Sequence, residues 1–439
     1  MTKRKHVPLS LLCAVLCGAT LGAAPRPPAT SFAPAAVLEL TNGVKIVSQP
    51  SADGKLVGAQ IFLPAGLSQQ PVEKAGIAAI AAALVLETPV EGQQTLIDVA
   101  QGLGATASYT LDPADTRFYI EASSADLPRL LHDLRSALRH PALSQLRAEQ
   151  AKALASADEM TKSPLEAAYA MVRRARYEGT GFAFPDAGSA LSIANISSAD
   201  LQTYLSSAQR GNGTVIALAG AVGVDTLDAA KREFGDFTPG VAAATMPAAR
   251  SVDRTREIVA HRNVPSPWIA VGYSAPNQYS ADFPAMLVVE ALLGPGGDVH
   301  ALAFASNTTA PTEYLGAYYQ YEAQPGSLVV FLDGESASVD QAVRDLQTGV
   351  ARLRGQNLPP TLVDEAKQLA LGNYYLSATD LSQLAWLLGR SAVSPEGVQF
   401  ENTLPQRIAG VSAADIRRVA QRYLSKETVA IVLPQTESH

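Results

Sequence analysis

"ISSADLQTYLSSAQRGNGTVIALAGAV", residues 196–222, and "VSAADIRRVAQRYLSKETVAIVLPQT", residues 411–436, decide how this chain is read. Each opens on Ser and Asp residues that suit a helix N-cap and first turn. Each closes on a run of β-branched and small apolar residues that reads as a strand. Aligning Thr214 with Thr428 gives an offset of 214, and Ile196 with Val411 gives 215. Similar spacing links "TRFYIEASSADLPRLLHDLRSAL" from Thr116 to "GSLVVFLDGESASVDQAVRDLQTGV" from Gly326, and "VGAQIFLPAG" (57–66) to "WIAVGYSAPN" (268–277). Self-similarity at a fixed long period marks an internal duplication, so the 439 residues hold two copies of one module of about 210.

Within a module the patterns mix strands and helices without strict alternation. Strand signals are "VLELTNGVKIVSQP", with Asn42-Gly43 as a tight turn, then "VGAQIFLPAG", "ATASYTLDPADTRFYIEAS" and "GTVIALAG". Helix signals cover 73–87, 93–103, 125–139, 145–160, 164–177 and 198–207. This order predicts an α+β fold: two tandem homologous modules, each a mostly antiparallel sheet with helices on one face. The expected division is a leader at 1–24, a first module at 35–238, an Ala/Pro-rich linker at 239–254 and a second module at 255–437.

The leader reading comes from Lys3, Arg4 and Lys5, the apolar run from Val7 to Leu21 and the small residues up to Ala24, the layout of a secretory signal. The run is too short to be read as a membrane span. Export and a periplasmic address are therefore expected, with no integral membrane segment after cleavage. Both cysteines, Cys13 and Cys17, lie in that leader, so the expected mature chain has neither disulfides nor thiolate metal ligands. Removing the three leader cations leaves 31 Lys and Arg against 41 Asp and Glu. That balance argues against nucleic acid as a partner, which needs a basic face.

One stretch is unusual for what it lacks. In "EKAGIAAIAAALVLETPVEG", residues 73–92, every position from Gly76 to Leu86 is apolar. A helix apolar all round is buried all round.

The chain resembles the pitrilysin/insulinase (M16) superfamily of zinc peptidases, which includes the mitochondrial processing peptidases. The resemblance runs over nearly the whole expected mature chain: "LELTNGVKIVSQP", "GAQIFLPAGLSQQPVEKAGIA", "TLIDVAQGLGATASYTLDPADTRFYIEA", "ISSADLQTYL" and "TVIALAGAV" in that order. It implies paired α+β modules that enclose a peptide-binding chamber, and His-x-x-Glu-His on the first long helix. Anchored on Gly76 and Ala78, the first His position falls on Ala79, the Glu on Ala82 and the second His on Ala83. Residues i and i+4 share a helical face and can bind one zinc ion, with the intervening Glu as base. Alanine has no lone pair to offer, so no catalytic residue, no metal site and no cofactor are expected. The histidines His132, His140, His261, His300 and His439 contain no pair at i, i+3 or i+4. Glu149, Asp158 and Glu159 lie in the helix where the resemblance places a third, acidic ligand.

The resemblance also implies a substrate-holding Arg and Tyr pair in the second module. Tyr318 fits the Tyr, with Tyr319 and Tyr321 as register alternatives, but no Arg occurs between Arg262 and Arg344. "GPGGDVH", residues 294–300, resembles a glycine-rich loop at the chamber mouth. Gly296 and Gly297 are thus candidate substrate contacts, while the absence of the P-loop spacing and its Lys rejects phosphate binding. The function expected is a catalytically inactive subunit pairing with an active M16 zinc peptidase in a heterodimer that admits unfolded peptide. The alternative is a homodimeric, non-enzymatic peptide-binding scaffold, and an active peptidase with rearranged ligands is a third reading.

Overall fold

Residues 215–220, "VIALAG", are buried at every position, although an antiparallel strand with one wet face would alternate. Something therefore covers both faces of the sheet this strand belongs to. In a computed structural model, which describes residues 35–51, 54–241, 255–294, 315–322, 325–333, 339–376 and 380–435, two sheets are built to the same plan.

The first sheet runs in the order β1 (Ala36–Glu39), β2 (Lys45–Pro50), β9 (Val215–Gly220), β3 (Leu56–Leu63), β7 (Thr116–Ser123) and β6 (Thr106–Leu111). The second runs β11 (Arg256–Arg262), β15 (Thr428–Pro434), β12 (Trp268–Ala275), β14 (Gly326–Asp333) and β13 (Leu315–Gln320). Without β1 the two orders correspond strand for strand, and so do the directions. β2 with β9 and β11 with β15 are parallel, and every other neighbour is antiparallel. Short strands β4 (Pro89–Glu91) and β5 (Gln94–Thr95) pair with each other, as do β8 (Arg210–Asn212) and β10 (Thr238–Val241). β10 thus takes the first residues of the linker expected at 239–254; the rest of that stretch, like the leader, lies outside the described residues.

Helices of the first half are α1 (Ile77–Leu86), α2 (Leu96–Gly102), α3 (Leu127–Arg139), α4 (Leu146–Lys162), α5 (Pro164–Arg176), α6 (Ala190–Ala194), α7 (Ser198–Ala208) and α8 (Val224–Phe234). Those of the second half are α9 (Phe283–Leu293), α10 (Val339–Gly355), α11 (Pro360–Leu376), α12 (Leu381–Val393), α13 (Gln399–Ala409) and α14 (Ala413–Tyr423). The duplication persists in the caps. Ser197 opens α7 with a capping box to Asp200, and Ser412 opens α14 with the same box to Asp415. Each box satisfies two backbone N–H groups that the first helical turn leaves unpaired.

One face of each sheet carries the main helical layer of its own half. The other face is covered by a helix from the opposite half. α12 lies on Val47, Phe62, Val215, Ala217 and Ala219 through Ala385, Leu388 and Ala392. α5 lies on Ala270, Val329, Phe331, Ala430 and Val432 through Ala168 and Val172. Glycine permits both approaches: a Cβ on Gly389 of α12 would stand 2.0 Å from the Phe62 ring, and one on Gly272 of β12 would stand 2.2 Å from Val172. Polar contacts close the exchange. Lys45 donates to the Ala392 carbonyl at the end of α12 (3.1 Å), Arg176 donates to Ser274 Oγ (2.6 Å), and the Tyr177 hydroxyl donates to the Pro325 carbonyl (3.0 Å). Between the halves, Trp386 lies between two guanidinium groups, Arg117 at 5.7 Å and Arg390 at 4.5 Å from its ring centre.

Candidate functional site

Gly76 is the N-cap of α1, at φ +97°, and its N–H donates to Gln70 Oε1 at 3.0 Å. A Cβ there would sit 2.4 Å from the Ala187 carbonyl oxygen, so both the left-handed backbone and the close crossing require glycine. This fixes the entry of α1 into the first module's core. Ile77, Ala78, Ile80, Ala81, Ala82, Leu84, Val85 and Leu86 are buried. Ala79 and Ala83 are half-buried, and Glu87, the C-cap, continues their stripe at i+8. The apolar helix is therefore enclosed on every side but one, and the open stripe passes through the two positions aligned with the histidines. Ala82 is 1% exposed.

α4 packs along α1 and brings one of the three acidic candidates to it. Glu149 is 4% exposed, and Lys152 Nζ stands 2.7 Å from its Oε1 and 3.5 Å from Glu87 Oε1. The ammonium is pushed above its ordinary pKa, first by its close contact with the Glu149 carboxylate and further by Glu87. Tyr109 on β6 has its hydroxyl pushed up to about 12, mainly by burial, with the charges of Glu149 and Asp186 adding to it. Asp158 and Glu159 are not part of this group. Their side chains are 68% and 80% exposed and pair with Lys162 in the last turns of α4.

Zinc does not fit the residues present. Ala79, Ala82 and Ala83 offer methyl groups, and the two carboxylates at hand, Glu149 and Glu87, already face one ammonium. Among the described residues no group of three or more His, Cys, Asp or Glu side chains is gathered closely enough to hold a metal ion. His132 pairs with Glu233 at 3.1 Å, His140 caps α3, and His261 is exposed on β11; His300 and His439 lie outside the described residues.

The second-half candidates lie elsewhere. Tyr318 is on β13, edge-on to Tyr169 of α5 at 5.8 Å, and its hydroxyl donates to Gln320 Oε1 at 2.8 Å. Burial raises its pKa well above the usual value. Tyr319 donates to the Pro276 carbonyl at 2.6 Å, and the Tyr321 hydroxyl accepts from Arg390 at 3.3 Å. Gly296 and Gly297 lie outside the described residues. Sequence reasoning passed over Lys152 and Tyr109. Lys152 stands at i+3 from Glu149, which is a signal for a helical ion pair, but its buried neighbour depends on α1, far off in the chain.

Among the described residues β6 forms one edge of the first sheet, paired only with β7, and its residues alternate exposed and half-buried from Thr106 to Leu111. It packs beside α1. The stripe of α1, the Glu149–Lys152 pair and the free edge of a strand therefore share one region.

The model of the Peptidase M16 inactive domain matches residues 195–370. Over these residues the chain is similar to the M16 peptidase superfamily. Cytochrome b-c1 complex subunit 1 of Bos taurus is 22% identical over 425 residues, covering 90% of this chain and 85% of that protein. The beta subunit of the mitochondrial-processing peptidase of Mus musculus is 22% identical over 407 residues, covering 89% and 82%. A protease from Helicobacter pylori shares the fold with a TM-score of 0.82 at 17% identity, over 91% of this chain and 99% of that one. No helix among the described residues is long and apolar enough to cross a membrane.

Proposed function

We propose that this chain is a catalytically inactive M16 subunit that pairs with an active M16 zinc peptidase and forms half of its peptide-binding chamber. The observation that carries this reading is the α1 stripe: both sheets, the Gly76 cap and the helix itself are retained, while Ala79, Ala82 and Ala83 lack donors. A fold kept at this size without its chemistry is explained by a structural part in someone else's reaction. The named relatives that are subunits of larger assemblies make a protein partner the natural expectation. Unfolded peptide would enter by strand addition to the free edge of β6, whose backbone N–H and C=O groups pair with any extended sequence. The leader makes the periplasm the proposed location.

Copurification of the tagged full chain from its native host tests this. The proposal expects an associated M16 protein with an intact His-x-x-Glu-His, and peptide hydrolysis that falls when this chain is withdrawn. A homodimer with no associated peptidase would replace the proposal with the scaffold reading.

A further inference from the structure

The loss of three ligands does not by itself account for Glu149. Its carboxylate is 4% exposed and needs a counter-charge. No hydrogen bond of proper geometry reaches Glu149 Oε1 among the described residues. Lys152 Nζ faces that oxygen at 2.7 Å and also reaches Glu87, four residues beyond Ala83 on the same stripe of α1. Glu87 is the C-cap of α1, and the carbonyl end of a helix favours a cation. The ammonium thus stands where two acids and a helix terminus converge, at the end of the stripe one turn beyond Ala83.

We infer that Lys152 is a built-in substitute for the metal's charge: it balances buried Glu149 and repels a divalent cation from this face. The stripe is then closed to metal twice, once by missing donors and once by a resident positive charge. It follows that returning imidazoles to positions 79 and 83 does not restore a metal site while Lys152 remains. This inference rests on the reading of α1 as a vacated zinc helix and not on the pairing with a peptidase, so copurification and metal binding can fail separately.

The test uses the full chain with zinc as the probe, titrated against a chromophoric competitor. Three variants are compared: Ala79→His/Ala83→His, the same with Lys152→Met, and the same with Lys162→Met, which removes an equal charge from the exposed end of α4. Lys152→Met is expected to tighten zinc binding by about tenfold or more over the double variant, because it removes a positive charge that repels the cation and frees the Glu149 and Glu87 carboxylates. Lys162→Met is expected to change it by less than about twofold, since Lys162 lies ten residues further along α4, about 15 Å by helical rise, and is screened at that range. Equal effects of the two lysine substitutions, or stoichiometric zinc in Ala79→His/Ala83→His with Lys152 intact, would overturn the inference. A second measurement needs no histidine. Lys152→Met alone is expected to lower the melting temperature, by roughly 2–4 °C, and adding Glu149→Gln to recover most of it. An unchanged melting temperature in Lys152→Met would equally overturn it.

Discussion

Glu290 on α9 accepts from the Tyr319 backbone N–H at 3.0 Å, and burial raises its carboxyl from the ordinary 4.5 to about 7. The folded state holds this proton more tightly than the unfolded chain does. Its stabilising share is complete below about pH 4.5 and is lost as pH rises toward 7. Thermal melts of the native chain and Glu290→Gln between pH 4.5 and 8 should show the native chain losing ground to the variant over that window, by on the order of 2 kcal/mol. Parallel curves would show that Glu290 is an ordinary carboxylate. At the same scale, Arg390 grips Glu401 through two bonds of 2.9 Å, and Tyr374 donates to the same carboxylate at 3.0 Å. Glu401→Ala leaves that guanidinium buried without its carboxylate, and denaturant melts should show a loss of roughly 3–5 kcal/mol. The site itself was partly legible from residues: Gly76 anchored the alignment and put methyl groups at 79 and 83. Lys152 was not legible, because an i, i+3 ion pair looks the same in sequence whether its acid is solvated or sealed beneath another helix.

Elements show the same division. Helices came through where local chemistry marks them, as the Ser197 and Ser412 caps do, and observed ends fall within a few residues of expectation for α3, α5 and α7. The destination of a helix is a different matter. An amphipathic pattern says which face of α5 is buried and is silent about what buries it, so the exchange of α5 and α12 between halves was not foreseen. One trace of it was present: the unbroken apolar run of β9 requires cover on both faces of its sheet. The exchange makes a prediction of its own. Gly272→Ala drives a methyl group into Val172 of α5 and should cost ~1–3 kcal/mol in denaturant melts. Val172→Ala in the same chain should recover part of the loss, giving a coupling above about 0.5 kcal/mol in a double-mutant cycle. Additive effects would mean that the helix moves aside without cost.

For the whole molecule, two sheets that each depend on a helix from the other half should not melt independently. Calorimetry is expected to give one cooperative transition, and cleavage at a protease site engineered into residues 242–254 should leave the fragments associated through size-exclusion chromatography. Two separated transitions, or fragments that part, would contradict the reciprocal packing. The central claim concerns chemistry: the fold is one shared with M16 proteins, and we propose that it carries no hydrolytic centre. Chelator-sensitive peptide hydrolysis by the purified chain alone is the direct measurement. The account predicts no hydrolysis above background and no stoichiometric zinc; turnover abolished by a chelator and restored by zinc would contradict it.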